Sequence, residues 1–182
     1  MTDKEQKGIS KFLSFVLRHN PGTIGLNLDR NGWADTRELL EKMNSHSYGI
    51  NLSLEELQKL VESNEKKRFA FSEDFSRIRA NQGHSIEIDL ALATKTPPDH
   101  LFHGTAEKNL DSIKESGLLK GQRHHVHLSS ESKTALRVGQ RHGKAIVLKV
   151  NAMQMHEKGI MFYQSENDVW LTDHVPPGFI EI

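Results

Sequence analysis

The chain has 182 residues, with 24 Lys plus Arg against 24 Asp plus Glu and no cysteine. That balance leaves no global cationic field, so any nucleic-acid contact has to come from a local cluster. The missing thiols exclude disulfides, thiolate nucleophiles and cysteine zinc sites.

The two halves are alike in charge, with 13 basic and 14 acidic residues before position 91 and 11 and 10 after it. No apolar run approaches the roughly 18 residues of a membrane span, and the polar start MTDKEQKG is not a signal peptide. A cytoplasmic protein without a membrane segment is expected. The length suits one domain or two small lobes.

From Lys4 to Arg18, Ile9, Phe12, Leu13, Val16 and Leu17 recur at helical spacing, predicting an amphipathic helix that stops before Pro21 and Gly22. Arg18 and His19 close it, where cations complement the helix dipole. Asp35 with Glu38, and Ser53 with Glu56, have capping-box spacing. They predict two short helices, one through Leu39, Leu40 and Met43, the other through Leu57, Leu60 and Val61. Lys67 to Ser72 and Arg77 to Ala80 read as strands around a turn at Glu73, Asp74 and Phe75. Three helices and a hairpin is the order of a winged-helix lobe, although order alone assigns no ligand. The run EKKRF reads equally as a solvated strand end. ANQGHSIEIDL then places Gly83 and His84 at a strand end and predicts a short extended piece. Thr94 to Asp99, TKTPPD, is the linker, because two prolines neither continue a helix nor donate to a sheet.

The second half opens with a strand at Leu101 to Thr105 running into a helix from Glu107 to Ser116, stopped by Gly117. Gly104 and Thr105 at a helix start would expose N–H groups to an anion, or Thr105 would serve as a plain N-cap. If Arg123 to Ser129 is extended, alternation sends Arg123, His125, His127 and Ser129 to one face and His124, Val126 and Leu128 to the other. A guanidinium, two imidazoles and a hydroxyl on one face demand a polar partner. Ser130 begins a helix through Ala135 and Val138 that ends near Gly139, and Arg141 to Gly143 form a connection. Ala145 to Val150 is the clearest buried strand. Short strands at Ile160 to Tyr163, Val169 to Thr172 and Phe179 to Ile182 complete an α+β pattern.

No Walker loop, no GxGxxG after a strand and no GxSxG elbow is present. His125 and His127 have the HxH form of half a metal site. Glu131 lies at the next helix start, however, and the neighbouring arginines repel a divalent cation, so no metal is expected. Three clusters remain: LRH at 17–19, KKRF at 66–69, and the 121–130 segment with HGT upstream. They share arginine, whose planar fork matches a phosphate dianion.

SKFLSFVLRHNP, GWAD, KKRF, IRANQGHS, LFHGT, RHHVHLS, GQRHG and NDVWLT occur in the order and approximate spacing of the RNA 2′-phosphotransferase (Tpt1/KptA) family, and the chain resembles its compact bacterial form. The resemblance implies a winged-helix RNA-binding lobe over 1–93 and an ADP-ribosyltransferase-like NAD-binding lobe over 94–182. It implies removal of an internal RNA 2′-phosphate with NAD as co-substrate, in two steps. The 2′-phosphate displaces nicotinamide first, giving an RNA-2′-phospho-ADP-ribose intermediate, and transesterification then releases 2′-OH RNA and ADP-ribose 1″,2″-cyclic phosphate. Arg18, His19, Arg68 and Arg123 carry the family's catalytic Arg-His-Arg-Arg set. Arg18, Arg68 and His19 would position the phosphate and Arg123 would neutralise phosphoryl charge, with His19 a candidate proton donor to the departing RNA oxygen. His103, Gly104 and Thr105 match the family's NAD motif, His127 and Ser129 line the same predicted face, and Arg141 is a candidate for the NAD pyrophosphate. Where many ADP-ribosyltransferases have a glutamate, NDVWLT has Val169, which suits an acceptor that needs no base. A monomer is expected. Two other classes stay open at this stage: ADP-ribosylation of nucleic-acid phosphate ends, and a non-catalytic winged-helix binding module.

Overall fold

The computed structural model describes residues 2–46 and 51–182, whose buried apolar side chains form two clusters, one from Leu13 to Ala80 and the other from Leu101 to Val175. The chain divides accordingly into units Met1–Ala91 and Leu92–Ile182, against an expected boundary between 93 and 94. The fold is α+β, with small antiparallel sheets in both units. Among the described residues no helix is long and apolar enough to cross a membrane.

In the first unit, α1 (Asp3–Arg18) starts at a reciprocal cap: the Thr2 hydroxyl accepts from the Glu5 N–H and the Glu5 carboxylate accepts from the Thr2 N–H. Its inner face buries Leu13, Val16 and Leu17 completely, each contributing about 1.5–3 kcal/mol of transfer free energy. Then follow β1 (Ala34–Asp35), α2 (Thr36–Ser45), α3 (Leu54–Glu62), β2 (Phe69–Phe71) and β3 (Arg77–Ala80). The sheet order is β1-β3-β2, with Ala34 opposite Ile78 and Phe69 opposite Ala80. Two residues are too few for alternation to show, which is why β1 escapes the sequence.

The α3 capping box is complete, but the α2 box is half made. Asp35 accepts from the Glu38 N–H at 2.8 Å, while the Glu38 carboxylate turns to Lys42 at 2.6 Å, where an i,i+4 ion pair competes with the cap. Asp74 closes the β2–β3 turn by accepting from the Ser72 and Ser76 hydroxyls, which hold its carboxyl at about 2. The predicted extended piece after His84 is bent rather than a strand. Its donors go instead to Arg18 O, from the Ser85 N–H, and to Arg30 O, from the Asp89 N–H.

The second unit comprises β4 (Leu101–Ala106), α4 (Leu110–Ser116), β5 (Leu118–Leu119), β6 (Val126–Leu128), α5 (Ser132–Gly139) and β7 (Ala145–Val150). These are followed by α6 (Ala152–Glu157), β8 (Tyr163–Gln164), β9 (Trp170–Thr172), β10 (His174–Val175) and β11 (Ile180–Glu181). β7 is central in β11-β7-β4 and pairs with β4 from Leu101↔Val150 to Ala106↔Ala145. Only Leu148 and Val150 of β7 are fully buried, so it is a two-faced strand rather than an enclosed one. β6-β9-β8 and β10-β5 are separate ladders. Helix α6 is unpredicted, since six residues anchored by Ala152 and Met155 give no helical period to read.

Candidate active site

In the first unit the end of α1 and the start of the hairpin meet. Arg18, the last residue of α1, donates from Nη2 to Arg68 O at 3.3 Å, although 50 positions separate them. The same carbonyl accepts the Asn81 N–H at 2.9 Å, and the Asn81 amide donates to Lys67 O at 2.7 Å. Lys67 stands at φ 40°, an unfavourable conformation for a residue with a side chain, costing about 1–3 kcal/mol. It is held there by Asn81 on one side and by its own N–H donating to Asn64 O at 2.7 Å. This backbone reversal sets where Arg68 leaves the chain. Beside it His19 is exposed, with Nδ1 at 2.9 Å from the Ser85 hydroxyl, and the Ser85 N–H ties back to Arg18 O. Gly83, at φ 87°, lets the chain pass the Arg18 guanidinium, 3.6 Å from where a Cβ would stand.

Arg18 and Arg68 both line a cavity of about 550 Å³, together with Lys7 and Lys11 of α1 and Lys66. Five cations against the single carboxylate of Glu65 make it a place for an anion. Sequence reading named Arg18, His19 and Arg68, which the structure brings together, but not Ser85, Asn81 or the two lysines of α1 beside them. Lys7, Lys11 and Arg18 are spaced four and seven apart on one helical stripe, a signal that was available.

In the second unit HGT lies inside β4, not at a helix start, and only a short 3-10 turn at Glu107–Asn109 precedes α4. The expected anion seat on helix N–H groups is therefore absent at Gly104, and Thr105 is not an N-cap. Thr105 is buried and its hydroxyl accepts from the Asn109 amide at 3.1 Å. Gly104 serves two ends. A Cβ there would stand 1.7 Å from Ala135 O, so its first duty is to let α5 rest on the strand. Phe102 exchanges both backbone bonds with Ser129 at 2.8 Å, and alternation along the strand turns the Gly104 N–H and C=O to that same edge, away from β7.

His103 Nδ1 lies 3.0 Å from His127 O, and since a carbonyl only accepts, Nδ1 carries the proton and Nε2 is left as an acceptor. Burial lowers the His103 pKa, with the Arg123 charge adding to the effect and the bond to His127 opposing it, so the ring is neutral near pH 7. Arg123 is not on a strand. Residues 121–125 are turn and bend, and β6 begins only at Val126. Arg123 nevertheless reaches His127, its Nη1 lying 3.3 Å from Nδ1, so a turn does what strand alternation was expected to do. His125 is instead drawn to Tyr163, with ring centroids 5.4 Å apart. The Ser129 hydroxyl accepts from the Glu131 N–H at 3.2 Å, so α5 begins at Ser132 rather than Ser130. Arg141 is exposed in the turn after α5. Thus β4, β6 and the 121–125 turn bring His103, His127 and Arg123 together, whereas no side-chain contact among the described residues draws Arg141 in.

A family model described as "RNA 2′-phosphotransferase, Tpt1 / KptA family" matches residues 3–174. The chain belongs to the RNA 2′-phosphotransferase family. A protein of Acaryochloris marina named "Probable RNA 2′-phosphotransferase" is 53% identical over 181 residues, covering 99% of both chains. Proteins of the same name from Flavobacterium johnsoniae and Pseudomonas fluorescens are 52% and 53% identical, covering 100% of this chain and 98% and 99% of their own. Similarity to these RNA 2′-phosphotransferases thus spans both units.

Proposed function

We propose that the protein is an NAD-dependent enzyme that removes an internal 2′-phosphate from RNA. The observation that carries this reading is the meeting of Arg18 and Arg68 on one basic cavity, with His19 alongside, in a chain of this family. Two guanidinium groups give a phosphate dianion paired hydrogen bonds from fixed directions, so positioning replaces bimolecular encounter. His19, exposed and oriented by Ser85, adds a third contact and is the group that protonates the departing RNA oxygen. The element order α1, β1, α2, α3, β2, β3 supports a winged-helix reading of the first unit as the RNA-binding lobe.

The second unit fits NAD. Neutral His103 offers Nε2 to a ribose hydroxyl, and the Gly104 edge offers one N–H and one C=O, the complement of a carboxamide. The Thr105 hydroxyl, accepting from Asn109, keeps its own proton to donate. His127 and Ser129 line this edge, while Arg141, exposed and outside that group, is assigned to the pyrophosphate on the family resemblance alone. These features and the short-strand architecture support an ADP-ribosyltransferase-like lobe. NAD as co-substrate supplies the electrophilic anomeric carbon and the ribose hydroxyl that displaces the RNA oxygen. Arg123, braced on His127, neutralises charge on the phosphoryl oxygens during that displacement.

The test is incubation with NAD and an oligonucleotide bearing one internal 2′-phosphate. Nicotinamide, 2′-OH RNA and cyclic phosphate are expected in equal amounts, and their absence overturns the proposal. A stable ADP-ribosylated RNA without cyclic phosphate would assign ADP-ribosylation of phosphate groups instead. No NAD-dependent thermal stabilisation would leave a binding module.

A further inference from the structure

The cavity beside Arg18 and Arg68 is larger than one phosphate requires. Its lining continues from Arg18 back along α1 to Lys11 and Lys7, and across to Lys66 in the α3–β2 connection. Positions 7, 11 and 18 share one face of α1, and at ~1.5 Å per residue the stripe is roughly 16 Å long. A stacked strand carries one phosphate per ~3.4 Å, so the stripe is long enough for several. Lys7 and Lys11 are both exposed, and no aromatic ring is among the described residues lining the cavity. The site therefore holds charge without a platform on which bases could stack.

Resting on the reading of this unit as the RNA-binding one, we propose that Lys7, Lys11 and Lys66 form a track for the phosphodiester backbone of the RNA strand flanking the 2′-phosphate. The track reads charge and not sequence. Each phosphate contact adds to affinity and to its salt dependence, by roughly 0.7 in the log–log slope for a single strand. The substrate is then selected by the length of strand on one side of the modified nucleotide, whatever its bases. An acidic protein segment would meet the same charges but would not depend on RNA length.

The experiment measures binding by fluorescence anisotropy, using oligonucleotides with one internal 2′-phosphate whose 5′ or 3′ flank is lengthened separately. Wild-type affinity should rise with one flank and depend little on sequence. In Lys7→Gln/Lys11→Gln that gain should shrink, on the order of tenfold at low salt, with the slope against log salt falling by about 1.4 for the two lost contacts. Lys7→Arg/Lys11→Arg should restore both. Which flank responds gives the strand polarity, and either supports the track. No length dependence, or an equal loss at every length, overturns it. An unmodified RNA of the same lengths separates the two proposals. A length-dependent loss in the variant with that RNA, without turnover of the phosphorylated one, would keep the track and reject the phosphotransferase reading.

Discussion

The first unit keeps the cations of its proposed site at the surface: Arg18 and Arg68 are only partly buried, and His19, Lys7 and Lys11 are exposed. The second does the opposite with His103, whose ring is held neutral by burial beside the Arg123 charge. On the proposed reading, the difference follows from what each would have to hold. A phosphate dianion is recognised by charges kept near the surface, because fully burying a guanidinium group without a compensating charge costs several kcal/mol. A ribose hydroxyl and a carboxamide are neutral, and selecting them takes a fixed donor and acceptor pattern, which burial enforces. The backbone repeats the contrast. The first unit sets Arg68 by a strained reversal at Lys67, whereas the second sets His103 on a strand pressed against a helix at Gly104.

The largest effect that would probe this contrast is Gly104→Ala. Its Cβ would fall 1.7 Å from Ala135 O, so α5 must lift off β4. Overpacking of this kind costs about 3 kcal/mol or more, against a gain of up to ~1 kcal/mol for Gly8→Ala, a helix position with nothing within 4 Å. Thermal unfolding and amide exchange check it, with β4 and β7 expected to lose protection. A Gly104→Ala protein as stable as wild type would break the account of that strand.

Next come the arginines. Arg18→Lys keeps the charge but loses the bond to Arg68 O, and the first chemical step should slow by about 10²-fold because the phosphate is misplaced. Arg123→Ala should instead leave RNA joined to ADP-ribose as the accumulating species. Rapid-quench analysis of labelled RNA distinguishes them, and identical profiles would erase the division of labour between the units.

The smallest effect is a pH dependence of stability. Burial holds His103 below its ordinary value of 6.5, so the unfolded chain binds the proton more readily than the folded one. Its contribution is full above 6.5 and declines as pH falls below it. Burial depresses His125 in the same direction. His103→Gln should flatten the melting-temperature profile between pH 7 and 5, leaving the slope contributed by His125. An unchanged profile would mean that the ring is not held neutral.

Much of this protein is legible in its sequence, where local rules decide. The periodicity of Ile9 to Leu17 and the Ser53–Glu56 box specify α1 and α3, because a helix face and a cap involve residues three or four apart. LRH, KKRF, HGT and RHHVHLS likewise mark the family and name the residues of the proposed site. Tertiary structure alone decided what those residues touch. Asn81 fixes the Lys67–Arg68 peptide, Ser85 orients His19, Ala135 requires Gly104 to lack a side chain, and a turn rather than a strand carries Arg123 to His127. Three of these four contacts join residues from 14 to 66 positions apart, and the fourth depends on a turn that alternation does not foresee. Sequence periodicity records which face a residue takes on its own element, but not which other element packs against that face.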